Sequence, residues 1–127
     1  MDSTEVQSKI EAIMQREPRY RREAYTFVAN AVTFTVGRLA AHRHVSAREL
    51  LEGMRDYARH EFGVLAGNVL HEWGIRSAAD AGTIVYLLIE GEVLAASAED
   101  RPEDFNIDFA LAEAPRPHRL PALPRID

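Results

Sequence analysis

His42 and His44 stand two residues apart in a region that reads as a loop running into an extended segment, so both rings can point the same way. With one distant carboxylate they would supply three of the ligands a metal needs, but nothing in the spacing requires it. HxxxH and HExxH are absent, and His60, His71 and His118 lie elsewhere. Surface or capping roles are the simpler reading, so no metal site and no cofactor are expected. The carboxylate pairs Glu90/Glu92 and Asp100/Asp104 would serve acid–base chemistry only in a dry pocket. They sit in an acidic stretch that should stay in water. Among nucleophiles, Ser46 and Ser77 are already used as helix caps and Ser97 falls in a turn. The chain has no cysteine and no GxSxG, Walker or GxGxxG motif. No catalytic residue is assigned.

The elements around these residues read as helices. Val6, Ile10, Ile13 and Met14 recur at helical spacing, with Ser3 or Thr4 as the cap and Pro18 as the stop. In "REAYTFVANAVTFTVGRLA", Ala24, Val28, Ala31, Thr35 and Leu39 form one stripe and Tyr25, Val32 and Val36 a second. That pattern predicts a buried central helix. "VTFTV" alternates and competes as a strand, but Asn30-Ala31 is a poor hairpin turn.

"HVSARELLEGMRDYARHEFG" opens with a capping box. Ser46 should accept from the Glu49 amide while the Glu49 carboxylate reaches back to Ser46, with Val45 and Leu50 as the hydrophobic staple. Leu50, Leu51, Met54, Tyr57, Ala58 and Phe62 form the apolar stripe. Arg48, Glu52, Arg55, Asp56 and Arg59 form a wet, charge-alternating face. Gly63 breaks the helix. "VLAGNVLHEWG" then buries Leu65, Ala66, Val69, Leu70 and Trp73, and Gly74 and Ile75 suit a Schellman stop. Ser77 and Asp80 cap "AADAGTIVYLLIE", which Gly91 closes. "VLAAS", "FNIDFAL" and "HVS" read as short strands.

The expected fold is therefore mostly α, a compact bundle of about five helices with a minor β pairing, in a single domain over 1–113. Residues 114–127 hold four of the six prolines and should be an extended or disordered tail. Leu120, Leu123 and Ile126 leave open that the tail packs on a groove.

Length and charge narrow the function. The 127 residues suffice for one core, and no apolar run approaches the roughly 20 residues of a membrane span. The polar N-terminus lacks a signal peptide's apolar region, so a cytoplasmic protein away from membranes is expected. The net charge of −5 opposes a general nucleic-acid binder. Residues 16–48 nonetheless carry seven arginines against two glutamates, and residues 90–113 carry eight acids against Arg101. The two regions either face each other within the fold or dock onto a partner. The reading favoured is a non-enzymatic protein–protein interaction module, binding another protein or its own copy. Arg19, Arg21, Arg22, Arg43, Arg116 and Arg119 form its candidate interaction surface. The alternative is a helix-turn-helix-like nucleic-acid binder with residues 64–73 as recognition helix, although that segment has no lysine or arginine and contains Glu72. A small metal-dependent or small-molecule enzyme ranks third.

The segments "RHVSARELLEGMRDYARHEFG", "VLHEWGI", "IVYLLIEGEVL" and "SAEDRPEDF" resemble the Minf-type family of conserved bacterial proteins, over roughly residues 18–109. The resemblance implies helix over 21–41 and a cytoplasmic bacterial protein. It implies no activity and no catalytic residues, and the proline-rich tail lies outside it.

Overall fold

The computed structural model describes residues 3–40, 45–95 and 102–112. Within them are five α-helices: α1 (Ser3–Arg16), α2 (Arg22–Gly37), α3 (Ala47–Phe62), α4 (Ala66–Glu72) and α5 (Ala78–Glu90). Short 3-10 turns occupy Gly63–Leu65 and Pro102–Phe105. The fold is mostly α, and the described residues contain no strand. Described parts of the three expected strands, Val93–Ala95, Val45–Ser46 and Phe105–Leu111, run without strand pairing. None of the described helices is long and apolar enough to cross a membrane.

Helix α2 is central, packed on α1, α3 and α5. Its first stripe is buried as the spacing predicts, through Ala24, Val28, Ala31 and Thr35. "VTFTV" continues the helix rather than forming a strand. The second stripe departs from expectation at its end, where Val36 is exposed while Tyr25 is buried. α1 lays Ile10 and Ile13 into the core. It starts at Ser3 itself, so Ser3 and Thr4 are helical residues rather than the cap.

The local signals at the other helix ends are met. Ser46 Oγ accepts from the Glu49 amide at 3.1 Å and Glu49 Oε1 accepts from the Ser46 amide at 3.1 Å, closing the capping box at α3. Val45 and Leu50, the staple pair, are both buried. After α4 the Ile75 amide donates to the Leu70 carbonyl (2.9 Å) and the Gly74 amide to the His71 carbonyl (3.0 Å), a full Schellman motif with Gly74 at φ 97°. Gly74 also lets the chain approach Arg19 and Tyr20, since a Cβ there would lie 3.2 Å from the Arg19 carbonyl oxygen. Ser77 Oγ accepts from the Asp80 amide at α5. At the end of α5 the left-handed position falls to Glu92 (φ 64°), not to Gly91. Gly91 is needed for space, because a Cβ would meet Ile13 Cδ1 at 2.6 Å.

Two tyrosines bind the α1–α2 turn to the core. Tyr20 donates its hydroxyl to Asp80 Oδ1 at 2.8 Å, and Tyr25 donates to the Glu17 carbonyl at 3.1 Å. Their rings meet edge to face, with centroids 6.1 Å apart. Burial pushes the Tyr25 hydroxyl up to about 12, with the Glu17 charge adding to it. Burial raises Tyr20 further, helped by the hydrogen bond to Asp80 and the Asp80 charge. A phenol whose folded pKa exceeds its unfolded value stabilises the fold fully below the unfolded pKa of about 10, and this stabilisation is lost as pH climbs beyond it. Denaturation midpoints should therefore fall between about pH 10 and 12. The Tyr20→Phe/Tyr25→Phe double variant should flatten that fall. An equally steep decline in the double variant would show that other groups cause it.

Residues 106–112 form an extended strap across the outside of α3 and α4. Phe105 is buried against Gly82 of α5. Phe109 lies beneath the guanidinium groups of Arg48 and Arg55, at 5.5 and 5.4 Å from its ring centroid. Leu111 is buried. The charged face of α3 stays in contact with water, with Arg48 64% exposed, while two of its arginines lie over an aromatic ring.

Candidate functional site

The described candidate arginines are engaged within the chain. Arg19 pairs with Glu17 at 3.8 Å and lies over the Tyr20 ring at 4.7 Å. Arg21 pairs with Glu72 at 3.4 Å. Arg22 donates to Gln7 Oε1 at 3.1 Å and pairs with Glu11. They tie α1, the start of α2 and the end of α4 together at an exposed surface, where such pairs are worth about 0–1 kcal/mol each. Arg43, Arg116 and Arg119 lie outside the described residues, as do His42, His44, His118, Ser97 and Asp100. Glu90, Glu92 and Asp104 are exposed, and Ser46 and Ser77 are caps. Among the described residues no three histidine or acidic side chains converge as metal ligands would. Among the described residues, Arg19, Arg21, Arg22, Arg38 and Arg48 find acids at Glu17, Glu72, Glu11, Asp56 and Glu52 respectively. Among the described residues, Arg48 reaches the acidic region where it lies over Phe109.

The most distinctive surface feature is an aromatic cleft that the sequence did not announce. Positions 23, 26, 27, 30 and 34 share a third face of α2, at helical spacing. That face turns toward Tyr57, Glu61 and Phe62 of α3 and toward Trp73, which caps the C-terminus of α4. Phe27 is the hub. Its centroid lies 5.4 Å from Tyr57, 6.1 Å from Phe62 and 6.0 Å from Trp73. Phe62 and Trp73 meet edge to face at 5.5 Å, and Phe34 extends the row to Tyr57 at 5.3 Å. Phe27 is buried, while Tyr57, Phe62 and Trp73 are half-buried and line an opening of about 370 Å³. Trp73, expected to be a core residue of the α4 segment, is instead part of the wall. Leu65 from the same segment is exposed.

The rim sets the charge. Glu23 and Glu61 are exposed carboxylates on opposite helices, and Glu61 Oε2 lies 3.3 Å from His60 Nδ1. The guanidinium of Arg22 is already held by Glu11 and Gln7. Burial raises the Tyr57 hydroxyl above its ordinary range, with the Glu61 charge pushing the same way and a hydrogen bond with Asn30 opposing. Tyr57 is therefore a neutral phenol at physiological pH. Aromatic rings and two carboxylates lining one opening attract a cation and flat apolar surface together.

Two further openings, of about 290 and 380 Å³, flank the strap. Ala112, the last described residue, lines both, one with Gly63 and the other with His71. Their walls mix arginines with small residues and lack the convergent aromatics of the cleft. Comparison with protein-family models, with curated proteins and with solved structures returned no match.

Proposed function

We propose that the protein is a non-enzymatic interaction module whose aromatic cleft receives an extended, arginine-bearing segment of a protein. One observation carries the reading: Phe27, Tyr57, Phe62 and Trp73 line one opening with Glu23 and Glu61, and the arginine that lines it, Arg22, is held by Gln7 and Glu11. Aromatic walls dock extended peptides and stack on guanidinium planes, and the acidic rim selects for positive charge. The geometry favours this over the nucleic-acid reading. α4 has seven residues, with Gly67 and Leu70 buried and Glu72 paired to Arg21. The cleft presents acids, which repel phosphate. Membership of the Minf-type family belongs to the same proposal and rests on the four segments quoted above.

Trp73 is the only tryptophan in the chain, so its emission reads the cleft directly. A synthetic proline-rich peptide of unrelated sequence with one arginine should shift that emission saturably. The same peptide with glutamine for arginine should bind about tenfold more weakly, the usual scale of an exposed-to-desolvated cation–π contact. Glu23→Gln/Glu61→Gln should erase the difference between the two peptides. Equal affinity of both peptides for the unaltered protein would overturn the reading.

A further inference from the structure

We infer that the cleft is regulated by the chain's own C-terminal segment, with Pro121-Ala122-Leu123-Pro124-Arg125 as its resident occupant. This rests on the cleft being a receptor for extended, arginine-bearing segments. Three observations select this occupant.

The first is spacing. Of the six prolines, only Pro121 and Pro124 lie three apart. A polyproline II turn has three residues, so both pyrrolidine rings fall on one edge of an extended segment, the edge that aromatic grooves take. Pro115 and Pro117 are two apart and cannot share an edge in this way.

The second is charge. Arg125 follows Pro124 directly, so a segment with its prolines on the aromatic floor carries its guanidinium at the floor's end. Glu23 and Glu61 stand at the rim to receive it.

The third is reach. Ala112 lines the same opening as Gly63, and Gly63 is the chain neighbour of Phe62, a wall of the cleft. Eight residues separate Ala112 from Pro121 and span up to roughly 28 Å when extended. Val64 and Leu65, which follow Gly63 in the chain, are 68% and 53% exposed and leave apolar surface uncovered beside it.

The consequence is competition. A tether of this length holds its end at an effective concentration in the millimolar range. A segment with a free Kd of about 0.1 mM would then close the cleft in most molecules and weaken an outside ligand about tenfold. An incoming partner must carry a better version of the same motif or remove the tail first.

The test uses full-length protein and its Pro121→Ser/Pro124→Ser/Arg125→Glu variant, which keeps every described residue. Acrylamide quenching of Trp73 should rise at least twofold in the variant. The unrelated arginine-bearing peptide should bind the variant about tenfold more tightly than it binds the unaltered protein. Added peptide 113–127 should restore the protection of Trp73 in the variant. Peptide binding of equal strength to both proteins, with unchanged quenching, would overturn the tail's role while leaving the cleft a receptor. Failure of the peptide to bind either protein would overturn both. Protection of Trp73 that grows with protein concentration would assign the occupant to a second copy and overturn the intramolecular contact.

Discussion

Phe105→Ala is expected to destabilise the protein by about 3–5 kcal/mol, the range for deleting a fully buried aromatic side chain. Phe105 is 2% exposed and fills a notch that exists because residue 82 is glycine. A Cβ at Gly82 would lie 2.3 Å from Phe105 Cβ and 2.5 Å from its Cγ. Phe109 under its two arginines and the buried Leu111 follow Phe105 along the strap. Phe105→Leu, which keeps much of the apolar volume, should recover more than half of the loss. Gly82→Ala should be destabilising as well, because its methyl group would evict the ring. Equilibrium denaturation followed by far-UV circular dichroism measures all three. A Phe105→Ala midpoint close to that of the unaltered protein would mean that the strap is not part of the cooperative core.

Where the sequence was readable, the chemistry was local. The Ser46/Glu49 box, the Ser77/Asp80 cap and the Gly74–Ile75 stop each involve partners within six residues, so their geometry follows from residue type and spacing. The helices followed from 3.6-residue periodicity, and even "VTFTV" obeyed the longer pattern around it. The strand readings failed for an instructive reason. In "FNIDFAL", Phe105 and Leu111 are buried and Phe109 is half-buried, while Asn106, Asp108 and Ala110 are exposed, but Ile107, on the same alternating set as the phenylalanines, is exposed too. The alternation reports a segment with a covered side only in part. It carries no information on whether the cover is a strand or, as here, the flanks of α3, α4 and α5. Tyr20, Gly53, Gly82 and the cleft were not legible because each depends on a partner at least 15 residues away. Phe27 and Phe34 share a face with Glu23 and Asn30. That mixed face reads as noise beside the two apolar stripes until α3 and Trp73 are brought against it.

Gly53→Ala should cost about 2 kcal/mol, although alanine is the better helix former by about 1 kcal/mol. Gly53 sits where α2 and α3 cross. A Cβ there would lie 1.8 Å from Thr35 Oγ1 and 2.7 Å from both Thr35 Cβ and Cγ2. The threonine cannot simply turn away. Its hydroxyl donates to the Ala31 carbonyl at 2.7 Å, its side chain is buried, and rotation leaves its Cβ in place. The helices must separate instead, and the 5.4 Å contact between Phe27 and Tyr57 depends on the same spacing. Gly37→Ala supplies the control, since a Cβ at Gly37 meets nothing within 4 Å. It should be neutral or stabilising by up to about 1 kcal/mol, from the same propensity gain without the clash. Adding Thr35→Ala to Gly53→Ala removes the nearest atom and should recover about half the loss, a coupling energy of about 1 kcal/mol between the two positions. Denaturation midpoints of the four variants and the unaltered protein decide it. If Gly53→Ala resembles Gly37→Ala, the two helices do not meet at Thr35, and the spacing that holds the cleft in shape must be set elsewhere along α2.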